Sequence, residues 1–321
     1  MDKIMIIAGK EFKDILRSSL FLTVLALLLA LSAVSAAMSS LVYQRQVSAY
    51  QSSLKVLTDL GKKPNIPPEL FPLNLLRGTI DYIEIVGAIL GILLGCLTIA
   101  KEKDRQTLKL ILSRPVSRRD VLYGKMLGNA AFLGMVLLIV GVLSLSSLIF
   151  VAGAALSPGD AAKLLLALLV SWVYLVAFFN LAVFLALGIR TLSNALIVAF
   201  VIWLVYVLIL PQIGDTMDPD NQVPGGFFRS MSLSKAQEKA VLVKFASYEN
   251  ARDIIEQLSV AKHYERACFA LFGIKPEFNG ASLAEIFGQK WLDFGAVLAF
   301  FIAGFAANHA LFSRKDILVG G

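Results

Sequence analysis

The residues best placed to do chemistry in this chain lie in one short basic stretch. Lys101-Glu102-Lys103-Asp104-Arg105-Gln106-Thr107-Leu108-Lys109-Leu110-Ile111-Leu112-Ser113-Arg114-Pro115 meets no helix breaker until its last residue. Wound as a helix, it puts Leu108, Ile111 and Leu112 on one apolar ridge and repeats Lys101, Arg105 and Lys109 every four residues on another face. Pro115 stops that helix, and Val116-Ser117-Arg118-Arg119-Asp120 opens a second amphipathic stretch running to Lys125. The chemistry this favours is recognition rather than catalysis. An apolar ridge must be buried against something, and flanking cations orient what it docks on. A loop that only fixes topology needs scattered Lys and Arg, not a compact helix with a ridge.

Other reactive constellations are missing. The sequence has no G-x-x-x-x-G-K-[ST] phosphate loop, no H-E-x-x-H, no G-x-S-x-G and no aspartate-rich diphosphate motif. His263 and His309 lie in different regions, and one histidine without partners does not make a metal site. Cys96 falls inside an apolar run and Cys268 outside one, so neither a disulfide nor a zinc site is expected. The chain is therefore expected to hold no catalytic residue, no metal and no cofactor.

The elements that must position the basic stretch are apolar. Hydrophobic residues make up 57% of the 321 residues and charged residues only 17%, and long apolar runs recur at 20–42, 80–100, 129–151, 162–188, 193–213 and 291–312. Each has the roughly 20 residues needed to cross hydrocarbon. The expected fold is an all-α integral membrane protein with six transmembrane helices. Asp81 and Glu84 fall at the start of the second run, and Asn308 and His309 at the end of the sixth, where headgroups and water tolerate them. Apart from Lys163 at the edge of the fourth, the runs contain no Lys or Arg, and none holds a mid-membrane carboxylate, which counts against ion-coupled carriers. The net charge of +7 reads as topology rather than as a nucleic-acid surface. One side, made of 1–19, 101–128, the turn at Arg190 and the tail from 313, has 15 Lys/Arg against 7 Asp/Glu. Short basic loops stay cytoplasmic, so both termini are expected there.

Ahead of the first run, Lys3, Lys10, Asp14 and Arg17 share one helical face, and Ile4, Ala8, Phe12 and Ile15 the opposite one. Residues 1–18 are expected to form an interfacial amphipathic helix, and Ala33-Val34-Ser35-Ala36 is not read as a cleavage site. Residues 19–213 would hold the first five spans, with a loop at 43–79 that begins helix-compatible and then breaks at Gly61, Pro64, Pro67, Pro68 and Pro72. Residues 214–290 are expected to form a helical extracytoplasmic insertion with a capping box at Ser234 and Gln237, followed by the sixth span and tail at 291–321. Its amphipathic pattern fits packing on itself or a second subunit, or docking of an extracytoplasmic protein. Gly87, Gly91 and Gly95 form a small-residue stripe for close helix packing, within the chain or between copies. Asn180 is expected to hydrogen-bond a neighbouring helix, Trp172, Tyr174, Trp203 and Tyr206 to pack or face lipid, and Pro211 to end the fifth span.

Taken together, these features resemble the permease subunits of type 2 ABC exporters. The local match runs through Gly9-Lys10-Glu11, then Glu102, Thr107-Leu108, Leu112-Ser113, Pro115-Val116-Ser117-Arg118 and Lys125. Gln106 stands where family members usually carry glycine, and Ile111-Leu112 replaces Leu-Leu. The resemblance implies two permease copies, or one with a related partner, seated on separate ATPase subunits that bind ATP and Mg. Glu102, Arg105, Thr107, Leu108, Ile111, Leu112, Pro115 and Arg118 would carry the coupling helix, flanked by Lys10, Glu11 and Arg17 of the N-terminal helix. It also implies a multi-pass protein of a prokaryotic inner membrane. Two other readings stay open: an ATP-independent carrier explains the spans but not the ridge, and a scaffold presenting 214–290 needs only one or two spans.

Overall fold

The computed structural model describes residues 2–59, 71–104, 117–218 and 227–314, and every regular element among them is helical. Six helices are long and apolar enough to cross a bilayer: Ser19–Val56, Pro72–Ile99, Arg119–Val151, Pro158–Gly188, Leu192–Met217 and Leu283–Leu311. The chain is an integral membrane protein with all-α architecture.

Local sequence explains where these helices start and bend. The third is opened by a capping box in which the Ser117 hydroxyl accepts from the Asp120 backbone N–H and Asp120 accepts from that of Ser117. The fourth opens the same way at Ser157 and Asp160, with Pro158 in the first turn, where its missing N–H costs nothing. The first-span helix does not stop at the bilayer. It continues as one helix, Ser19–Asp59, about 60 Å long at 1.5 Å per residue. Widened π turns at Ile83–Gly87, Ser147–Val151 and Leu204–Ile209 interrupt the second, third and fifth spans. The third of these corrects the expectation for Pro211. The helix passes through that residue to Met217, because the wider turn just before it relieves the clash and lost hydrogen bond that proline otherwise imposes. The sixth span kinks at Lys290 (φ −113°, ψ 17°), beside the expected start of the span.

The second and fourth spans form the centre, with 67% and 61% of their most apolar windows buried, against 11% for the sixth. The glycine stripe makes this centre tight. A Cβ at Gly91 would lie 2.7 Å from the Leu175 carbonyl oxygen, and one at Gly95 would lie 2.5 Å from that of Phe179. The stripe therefore packs inside the chain, backbone against backbone, with Gly87 against the Leu175 side chain. Asn308 donates to the Asn180 carbonyl at 2.9 Å, so the residue expected as packing glue is held through its backbone.

Between the fifth and sixth spans the chain folds back on the bundle. Helices Lys235–Lys244 and Ala246–Gln257, the first opened by the Ser234–Gln237 capping box, lead to Ser259, whose hydroxyl donates to the Tyr206 carbonyl inside the fifth span. Helix Val260–Leu271 then returns, fully burying Tyr264 against the fourth span until Gly273 (φ +63°) turns the chain. The Tyr264 ring stacks on Tyr174 with centroids 4.3 Å apart, and its hydroxyl meets that of Ser171 at 2.7 Å.

Candidate functional site

The expected coupling residues divide at the boundary of what is described. Arg105, Thr107, Leu108, Ile111, Leu112 and Pro115 lie outside the described residues. Glu102 belongs to helix Ala88–Asp104, and Arg118 begins the next helix. What the structure does show is the joint on which this segment is mounted.

That joint is built from the N-terminal helix Asp2–Leu16, the last turns of the second span and the first turns of the third. The amphipathic pattern turns Ala8, Glu11 and Ile15 inward and leaves Lys10 and Arg17 exposed, Lys10 lying 4.0 Å from Asp14. Two glycines of the third span admit the helix. A Cβ at Gly124 would lie 2.6 Å from the Ile7 Cβ, and one at Gly128 would lie 2.5 Å from the Ala8 carbonyl oxygen. At this contact the Lys125 Nζ donates to the Glu11 carboxylate at 2.7 Å, with both side chains about nine-tenths buried. Lys125 also reaches the Thr98 carbonyl at 3.5 Å. The Thr98 hydroxyl donates to the Asn129 Oδ1 at 3.3 Å, and the Asn129 Nδ2 donates to the Lys125 carbonyl at 2.8 Å. Four polar residues from three helices thus satisfy one another in an apolar setting, where an unpaired charge would be very costly. On the same face the Tyr123 hydroxyl meets the His309 Nδ1 at 2.7 Å, tying the sixth span to the third.

Lys125 and Glu11 each stand out in the sequence, but nothing in it pairs residues 114 positions apart. The readable signals were Asn129 one turn beyond Lys125 and the Gly124–Gly128 spacing, which mark a close, polar helix contact.

A second polar group lies at the other end of the bundle. Glu84, which the sequence places at a membrane edge, is buried within the second span, and its carbonyl accepts from the Tyr174 hydroxyl at 3.1 Å. The returning helix brings Lys262 and Glu265 into electrostatic range. Burial disfavours the charge of Lys262, but Glu265 and Asp215, each 2.8 Å from its Nζ, outweigh burial and hold its pKa above the usual lysine range. Neighbouring Arg252 binds Asp218 and Glu249, and Arg266 binds Glu256. These charges were invisible to a search of the spans because a non-spanning hairpin delivers them. His263 sits 2.7 Å from Asp293, far from His309, and no group of three or more His, Cys, Asp or Glu among the described residues is placed to hold a metal.

The family model for ABC-2 family transporter proteins matches residues 5–317. The chain belongs to that family. No individual curated protein matches it. As an ABC-2 membrane component it is a permease subunit, embedded through several apolar helices and partnered with ABC ATPase subunits. The match takes in both arms of the joint, from Glu11 in the N-terminal helix to Lys125 in the third span.

Proposed function

We propose that this permease works as a dimer, with a second copy or a related chain, in an ATP-driven exporter of a prokaryotic inner membrane, with both termini cytoplasmic. The observation that carries this reading is a family match spanning 5–317, joined to a rigid polar joint on the two helices that lead into and out of 105–116. ATP and Mg bind the partner ATPases. On this reading 102–113 is the coupling segment, whose Leu108, Ile111 and Leu112 would seat in an ATPase groove while Arg105 and Arg118 match its charge. Closure of the ATPases moves the joint, and the spans attached to it carry the change across the bilayer.

A self-sufficient carrier gains one observation, the buried Glu84 with Lys262 and Glu265 nearby, since carriers use ionisable groups at membrane depth. One experiment separates the two readings. The tagged chain, taken from native membranes in mild detergent, is expected to bring a phosphate-loop ATPase in stoichiometric amount. Leu108→Glu with Ile111→Glu is expected to lose at least nine-tenths of that ATPase while the chain itself purifies normally. A chain that emerges alone in several detergents overturns the ATP-driven reading.

A further inference from the structure

We propose that Glu11, Lys125, Thr98 and Asn129 form a force-bearing joint that makes the N-terminal helix, the base of the second span and the base of the third move as one unit. The inference rests on the permease reading and deepens it. A buried ion pair is a poor device for stability alone, because apolar residues of similar volume hold helices together as well or better. What a charge pair adds is register: the Lys125 Nζ donates to the Glu11 carboxylate at 2.7 Å and to the Thr98 carbonyl at 3.5 Å, and sliding either helix breaks these bonds. The surrounding contacts share that register. Gly124 and Gly128 leave no room for the N-terminal helix to slide, since their nearest neighbours are its own Ile7 Cβ and Ala8 carbonyl oxygen. Phe12 packs edge-on to Phe132 at 6.2 Å. The placement is equally specific. Thr98 stands on the helix that ends at Asp104, and Lys125 and Asn129 on the helix that begins at Arg118, so the joint bridges the two supports of the intervening segment. A push on that segment is thereby divided between two spans at a fixed ratio, and the N-terminal helix splints them. Glu11 and Lys125 are positioning residues here: they touch neither nucleotide nor cargo.

The test needs no knowledge of the cargo. The tagged chain with its co-purified ATPase is placed in lipid nanodiscs, with a nitroxide at Phe150→Cys, an 83% exposed position at the far end of the third span. The readout is the spectral change on adding Mg-ATP per ATP hydrolysed. Glu11→Gln and Lys125→Met are each expected to keep the ATPase bound, to lower the unfolding temperature because one buried charge loses its partner, and to cut movement per ATP at least fivefold. The swap Glu11→Lys with Lys125→Glu is expected to restore at least half. Should the swapped chain fail to fold, Glu11→Met with Lys125→Met decides, because it keeps the packing and removes the charges. Loss of movement with the ATPase bound supports the joint, and full movement overturns it. Single variants that move like the unsubstituted chain also overturn it, as does an unsubstituted complex whose third span ignores ATP. No ATPase on the unsubstituted chain is a different failure: the permease reading falls, and the joint with it.

Discussion

A glycine with backbone at 2.5 Å from its missing Cβ cannot be replaced by moving a side chain aside. Gly95 is in that position, between the Phe179 carbonyl oxygen and the Ala182 Cβ, so substitution has to push the second and fourth spans apart. Gly95→Leu is expected to cost about 1–3 kcal/mol, the range for overpacked interiors, and to lower the unfolding temperature in detergent. Gly288, with nothing within 4 Å of its missing Cβ, is the control, and Gly288→Ala is expected to leave that temperature unchanged or slightly raised. The spacing of Gly87, Gly91 and Gly95 was readable in the sequence, and so was the inward face of the N-terminal helix through Ala8 and Ile15. Which surface the glycines met was not readable, because a small-residue stripe states how close a neighbour comes and not which neighbour it is. Burial of Glu11 was hidden for a related reason. A charged residue at the edge of an apolar face reads as solvated until its partner, 114 residues away, is in place.

Among the elements, the hairpin between the fifth and sixth spans departs most from a simple reading. Its returning helix is buried along Ala261, Tyr264, Ala267, Cys268 and Leu271, while the helix before it, Ala246–Gln257, turns its ion-paired face inward and leaves Tyr248, Ile254 and Leu258 outward. The exposed face of that helix is mixed, with Tyr248 and Ile254 beside Asn250 and Asp253, while Arg252 pairs with Glu249 and Glu256 on the half-buried face. Tyr264 fixes the returning helix by stacking and by its bond to Ser171. Tyr264→Ala is expected to cost about 3–5 kcal/mol and to release the helix to protease. Tyr264→Phe keeps the ring and loses only the hydroxyl bond, about 0.5–1.5 kcal/mol, since the Ser171 hydroxyl also reaches the Ala167 carbonyl. Burial pushes the Cys268 thiol up, so a maleimide is expected to react with this residue only after the helix is released. The sequence marked the capping box at Ser234 correctly, since it is local. It did not mark the fold-back, because 214–290 is polar enough to read as an aqueous segment, and only tertiary pairing of Lys262 with Asp215 and Glu265 lets such charges sit against the spans.

At the level of the whole molecule, six spans put the N-terminal helix and the end of the sixth span on one face, where Tyr123 meets His309, and the hairpin on the other. The excess of basic residues on the first face sets the expected orientation. An impermeant maleimide applied to intact cells is expected to label Asp253→Cys and not Lys13→Cys, both of which sit at exposed positions. Labelling in the opposite pattern inverts the topology. The six apolar runs were legible from composition alone, whereas which two of them form the centre was not, nor was the polar joint, because it exists only where three helices converge. That convergence has a consequence in time. Glu11 leaves the ribosome 114 residues ahead of Lys125, an interval on the order of ten seconds at ordinary rates of synthesis. Through that interval the Glu11 carboxylate lacks its Lys125 partner. The joint closes only when the third span has been inserted, so birth order makes it a late checkpoint: a subunit whose third span goes in wrongly keeps an unpaired carboxylate on its first helix, open to quality control.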